Sequence, residues 1–119
     1  MTTTAETGRQ GEIAAREYLR RNGFLIVELN WRSGRDEIDI IARKYDAIRF
    51  VEVKTRRAAG FTTPEQAIDR RKINALKRAA SHYMALHRID LEPHLDFAAV
   101  DVMPDGTMEV RYYPDGITV

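Results

Sequence analysis

The sequence predicts an α/β domain with a mixed central sheet flanked by helices. The expected order is helix, three strands, helix, strand, then a terminal strand. Three observations carry this. Residues 36–54 hold two β-branched apolar runs around the polar break Lys44-Tyr45-Asp46, the pattern of a β-hairpin. Amphipathic stretches with helical spacing lie before and after these strands. The second of them precedes another apolar run, 95–103, so it can cross over between parallel strands, in the right-handed sense such connections take.

The elements follow in chain order. Thr7 or a nearby threonine caps a helix that runs to about Asn22, where Asn22-Gly23 is a natural stop. Its apolar stripe is Gly11, Ala14, Ala15, Tyr18 and Leu19, with Glu12 at the edge. Glycines 8 and 11 leave one side of the helix bare, so a neighbour can approach closely. Phe24 to Leu29 reads as a strand buried on both faces, and residues 30–34 turn the chain into the hairpin. Trp31 reads as core. Residues 55–63 form a loop in which Phe61 either packs inward or touches a ligand. Thr63-Pro64-Glu65 starts the second helix with proline at its first position, Gln66 falls in its first turn, and it runs to about His87. Leu95 to Met103 is a fourth strand, Pro104-Asp105-Gly106 a turn, and Met108 to Tyr112 a fifth strand returning antiparallel.

Composition bounds the function. The chain has 119 residues, 44% hydrophobic and 31% charged, as expected of one soluble globular domain spanning 1–119. It has no cysteine, which excludes disulfides, thiolate metal sites and a cysteine nucleophile, and is compatible with a cytoplasmic location. Residues 1–7 lack the segments of a signal peptide, and no apolar run approaches a membrane span, so no membrane partner is expected. The net charge of +1 is unevenly spread. Residues 1–88 carry 18 Lys/Arg against 11 Asp/Glu, whereas residues 89–119 carry one against seven. A basic surface facing a polyanion, with an acidic region held away from it, accounts for this division. His82, His87 and His94 have no zinc-binding spacing.

The acids inside the hairpin are oddly placed. Asp39 sits among Ile38, Ile40 and Ile41, and Glu52 sits between Val51 and Val53. Acidic residues are poor strand formers and are rarely buried unless paired. With Tyr45 and Asp46 as the loop, Asp39 falls opposite Glu52, and Glu37 opposite Lys54. Facing carboxylates repel, and a divalent cation between them reverses the sign. Glu52 and Lys54 project from one face. The candidate cluster is therefore Asp39, Glu52 and Lys54, with Glu37 beside it. Mg²⁺ or Mn²⁺ held there activates a water, and a lysine orients that water or stabilises developing negative charge. Arg32, Arg35, Arg56 and Arg57 are candidate phosphate contacts, the last two emerging directly after Lys54. Arg70, Arg71, Lys72, Lys77 and Arg78 load the second helix with positive charge. Asp96 and Asp101 read as structural.

Asp39 followed by Glu52-Val53-Lys54 resembles the Asp…Glu-X-Lys signature of the restriction-endonuclease-like, or PD-(D/E)XK, nuclease superfamily. The fuller set resembles the uncharacterised YraN-like family, which is related to archaeal Holliday-junction resolvases. That set is Gly8-x-x-Gly11-Glu12, Asn30-Trp31-Arg32, Glu37 to Ile41 and Phe50 to Arg56. The resemblance covers about residues 8–102. It departs in three places: Ile38 replaces the superfamily's proline, Asp36 replaces the family's usual glycine, and His94-Leu95-Asp96 replaces Arg-Phe-Asp. The resemblance implies a restriction-endonuclease-like αβββαβ core and a metal-dependent DNA endonuclease. It adds Glu12 to the metal site, ranks Lys72 above its basic neighbours as a nucleic-acid contact, and points to branched DNA and a homodimer. The alternative function is a non-catalytic nucleic-acid-binding module of the same fold.

Overall fold

The computed structural model describes residues 3–57 and 69–117. Helix α1 (Thr4–Arg21) is capped by Thr3, whose hydroxyl accepts from the Glu6 N–H at 3.1 Å while Glu6 accepts from the Thr3 N–H at 3.4 Å. This reciprocal box satisfies two backbone donors at the helix start. Thr7 lies inside the helix and donates to the Thr3 carbonyl instead. Asn22 closes the helix, and Gly23 follows with a φ of 85°.

Five strands form one sheet in the order β1 (Leu25–Ser33), β2 (Asp36–Lys44), β3 (Ala47–Arg57), β4 (Glu92–Val102) and β5 (Met108–Tyr113). Among the described strands only β3 and β4 pair in parallel, and α2 (Arg70–Leu86) lies between them in the chain. The architecture is the expected αβββαβ order plus a terminal strand. Lys44 pairs with Ala47 and Ile40 with Val51, the register that a Tyr45-Asp46 loop requires.

Two expectations are corrected. β1 is an edge strand rather than a strand buried on both faces: Leu25 is 63% exposed, and Val27 and Leu29 face solvent with it. β1 also continues through Asn30-Trp31-Arg32, so the reversal comes at Gly34-Arg35 and not over 30–34. Pairing with β2 down to Ser33–Asp36 satisfies the backbone groups that a turn would otherwise have to satisfy. The expected helix start at Pro64, and the positions of Phe61 and Gln66, lie outside the described residues. The described helix begins at Arg70, because Asp69 is extended (φ −109°, ψ 174°) and its carboxylate accepts from the Lys72 N–H at 2.9 Å. An Asp in that role is a preferred helix cap and ends the helix on its N-terminal side.

The helices cover opposite faces. Ile48 and Phe50 pack with Leu76, Ala79 and Tyr83 of α2, whereas Val51 and Val53 pack with Ala15 and Leu19 of α1. Trp31 joins the α2 side edge-on to Tyr83, with ring centroids 5.1 Å apart. Asp96, fully buried, accepts from Arg49, from the Tyr112 hydroxyl and from the Asp115 N–H, so its charge is paired and its oxygens satisfied. Asp101 pairs with Arg111 at 2.8 Å. Both acids have the structural roles expected of them.

Candidate active site

The site arises where β2 parts from β3. The ladder between them is regular from the Tyr45-Asp46 loop as far as Ile40–Val51 and then stops. The sequence reason is Asp39. Its carboxylate accepts from the Val53 N–H at 2.8 Å, taking the place of a strand carbonyl. Side-chain alternation also breaks here, since Ile38 and Ile41 both pack on the α2 side while Ile40 packs on the α1 side. At the same level of β1, Asn30 adopts a left-handed backbone, φ 50°, which Asn tolerates better than most residues. With its amide nitrogen turned toward the acids, Asn30 donates to Glu12 at 3.2 Å and to Glu37 at 3.1 Å.

The opening lets both helices reach the same carboxylates. Glu52 is in step with Ile48 and Phe50, points to the α2 side, and is 5% exposed. There Lys72 meets it, Nζ to Oε1 3.1 Å. From the other face α1 brings Glu12. It can pack this closely because Gly11 lies against Thr55, where a Cβ on residue 11 would fall 1.7 Å from the Thr55 hydroxyl. Gly8 is different, since a Cβ there would meet nothing within 4 Å, so only Gly11 serves close approach.

A cavity of about 430 Å³ collects Glu12, Asp39, Glu52, Lys54, Arg56, Arg57 and Lys72. Six of these are the expected catalytic or phosphate-binding residues that surround the hairpin and α1; the seventh, expected only to touch nucleic acid, is the partner of Glu52. A second cavity of about 440 Å³ on the α2 side shares Asp39, Glu52 and Lys72 and adds Arg35 and Arg71. Arg32 lines neither and pairs with Glu37 at 3.7 Å. Glu37 is thus on the β1 side of β2 and does not oppose Lys54, because the two strands have already separated.

Charge is crowded here. Burial, then repulsion from Glu52, Glu12 and Glu37, pushes the Asp39 carboxyl up to about 8 against the opposing Val53 N–H. Burial and the charges of Glu37 and Glu52 also raise Glu12, while Asn30 and Arg16 work the other way. Burial disfavours the Lys72 ammonium, but Glu52, Asp39 and Glu37 outweigh it and hold its pKa above the ordinary lysine value. Among the described residues, no group of three or more His, Cys, Asp or Glu side chains is arranged to hold a metal ion. The donor set that remains is Asp39 with Glu52: hard oxygen ligands whose mutual repulsion a cation relieves. Mg²⁺ fits such a pair, since it is commonly held by one or two carboxylates and keeps several waters.

Sequence reasoning missed the Asn30 bridge and the Lys72–Glu52 pair. The first was signalled only by an Asn inside a strand-like run, and the second by lysine in the first turn of a helix, where positive charge opposes the helix dipole.

Among the described residues no helix is long and apolar enough to cross a membrane. The model of an uncharacterised protein family, UPF0102, matches residues 11–102. A UPF0102 protein of Porphyromonas gingivalis is 41% identical over 102 residues, 86% of this chain and 76% of its own. One from Bacteroides thetaiotaomicron is 45% identical over 95 residues, 80% and 78% of the two chains. One from Syntrophomonas wolfei is 39% identical over 108 residues, 90% and 93%.

Proposed function

The chain belongs to the uncharacterised protein family UPF0102, and from its site we propose a metal-dependent endonuclease that hydrolyses phosphodiester bonds in DNA. One observation supports this above the others. A carboxylate built into the break between two strands, Asp39, shares a cavity with Glu52 and Glu12 and with the cations Lys54, Arg56, Arg57 and Lys72. Acids that repel one another, ringed by bases, suit a cation and a polyanion together better than either alone.

Asp39 and Glu52 would hold Mg²⁺ or Mn²⁺, with Glu12 supporting them. Bound there, the metal would lower the pKa of a water and polarise a phosphoryl oxygen. The residues of the chain do the rest. Val53 fixes the Asp39 carboxylate through its N–H, so the ligand is oriented by backbone. Lys54 orients the attacking water or stabilises charge on the phosphate. Arg56 and Arg57, on the cavity wall, hold flanking phosphates, with Arg35 on the α2 side. Water adds to phosphorus and sheds a proton, one P–O ester bond breaks, and in the net reaction that proton ends on the departing oxygen. Branched DNA is the substrate class to which the resolvase resemblance points, and the same resemblance supports a homodimer.

A second reading has its own support. Among the described residues no three acids are arranged to hold a metal ion, and Glu52 is already paired with Lys72. A nucleic-acid-binding module that does not cut would look the same. Incubation of labelled DNA with Mg²⁺ or Mn²⁺ separates the two. Cutting lost in a folded Asp39→Ala variant supports the nuclease, whereas salt-sensitive binding in EDTA with no cutting under either metal supports the module.

A further inference from the structure

Lys72 occupies a place that helix physics disfavours. It lies in the first turn of α2, three residues after the Asp69 cap, with Arg70 and Arg71 beside it and no acid in that turn. Cations there oppose the dipole of the helix. The compensation is specific: the ammonium reaches across to Glu52, 3.1 Å away, while the side chain stays half exposed. Glu52 itself is almost sealed from water, and an unpaired carboxylate so placed is costly. Lys72 also lines both cavities, so its head stands among the oxygens assigned above to the cation.

We propose that Lys72 is an internal counter-ion which holds Glu52 in the metal-free protein and which a divalent cation must displace. This deepens the metal-site reading and rests on it. The ammonium already sits on Glu52 Oε1, and a divalent cation brought to the same carboxylate is repelled by it, so metal and ammonium compete for Glu52. Displaced, the ammonium needs only a rotamer change to remain in the cleft, because half of the side chain is already solvated. Lys72 is thus a positioning residue that acts through Glu52 and sets the affinity of the site for its cation.

The test is calorimetric titration of Mn²⁺ alone into metal-free wild type, Lys72→Met and Lys72→Gln, with folding checked by circular dichroism. Lys72→Gln keeps a hydrogen-bond donor for Glu52 and guards against misfolding of the methionine variant. Removing the competing charge is expected to tighten Mn²⁺ binding about tenfold in both variants. A merely structural role for the pair would disorder Glu52 and weaken binding. Affinity equal to or below that of wild type in both variants, with wild type still binding, would overturn this inference and leave the metal site standing. No Mn²⁺ binding by any of the three proteins would overturn the metal site and the inference with it.

Discussion

Replacing Asp39 by Asn should stabilise the metal-free protein, by an amount that grows as pH rises from about 4 to about 8. The amide keeps an oxygen for the Val53 N–H but removes a charge repelled by Glu52, Glu12 and Glu37. The sign follows from linkage. The carboxyl is held at about 8 in the fold against 3.8 ordinarily, so between these values the folded protein binds the extra proton. Stability therefore falls as pH rises from about 4 to about 8, at up to about 1.4 kcal/mol per pH unit, and then levels off. The ceiling is about 6 kcal/mol. Water in the cavity and movement of the Lys72 head reduce this, to a gain of about 1–3 kcal/mol for Asp39→Asn at pH 8. In a domain of this size that corresponds to about 3–12 °C in Tm. Thermal unfolding of both proteins in EDTA at pH 4 and pH 8 measures it. A variant less stable than wild type at pH 8, or a difference that does not depend on pH, would refute the electrostatic account of the site.

Three further outcomes follow from other parts of the molecule. Gly11→Ala should cost about 1–3 kcal/mol in denaturant unfolding, because its methyl collides with Thr55, whereas Gly8→Ala, into open space on the same helix, should gain up to about 1 kcal/mol. Asp96→Ala should cost about 3–5 kcal/mol by stranding Arg49, with Mn²⁺ affinity of the still-folded fraction unchanged. Replacing Arg56 and Arg57 by Ala should weaken DNA binding at all sequences and flatten its dependence on log salt by about one for each phosphate no longer held, read by fluorescence anisotropy.

The hairpin was legible because its two-residue loop leaves little freedom. Once Tyr45 and Asp46 are the loop, Asp39 and Glu52 must lie at the same level, and the observed pairing of Ile40 with Val51 agrees. What pattern reading could not foresee is that the ladder stops there. Opposition counted along ideal strands put Glu37 across from Lys54, but Asp39 has taken the Val53 N–H and the strands have separated. β1 departs from its pattern for a related reason. Phe24 to Leu29 is a continuous apolar run, which periodicity alone assigns to an interior strand, yet the topology leaves it at the edge. The start of α2 turned on one residue. Asp69 caps the helix that begins at Arg70, while Pro64, a good helix starter, lies outside the described residues. Resemblance alone points Lys72 toward nucleic acid. Its ion pair with Glu52 depends on how α2 lies across the sheet, which no local pattern encodes.

The central claim is that Asp39, Glu52 and Lys54 carry metal-dependent chemistry on DNA. Its most direct test is cleavage of labelled four-way junction, flap, duplex and single-stranded DNA with Mg²⁺ or Mn²⁺, by wild type beside Asp39→Ala and Lys54→Ala, each checked for folding. The account predicts cutting by wild type alone, abolished by EDTA, with the preferred structure visible in the same gel. Equal cutting by all three proteins, or no cutting of any substrate under either metal, would contradict it.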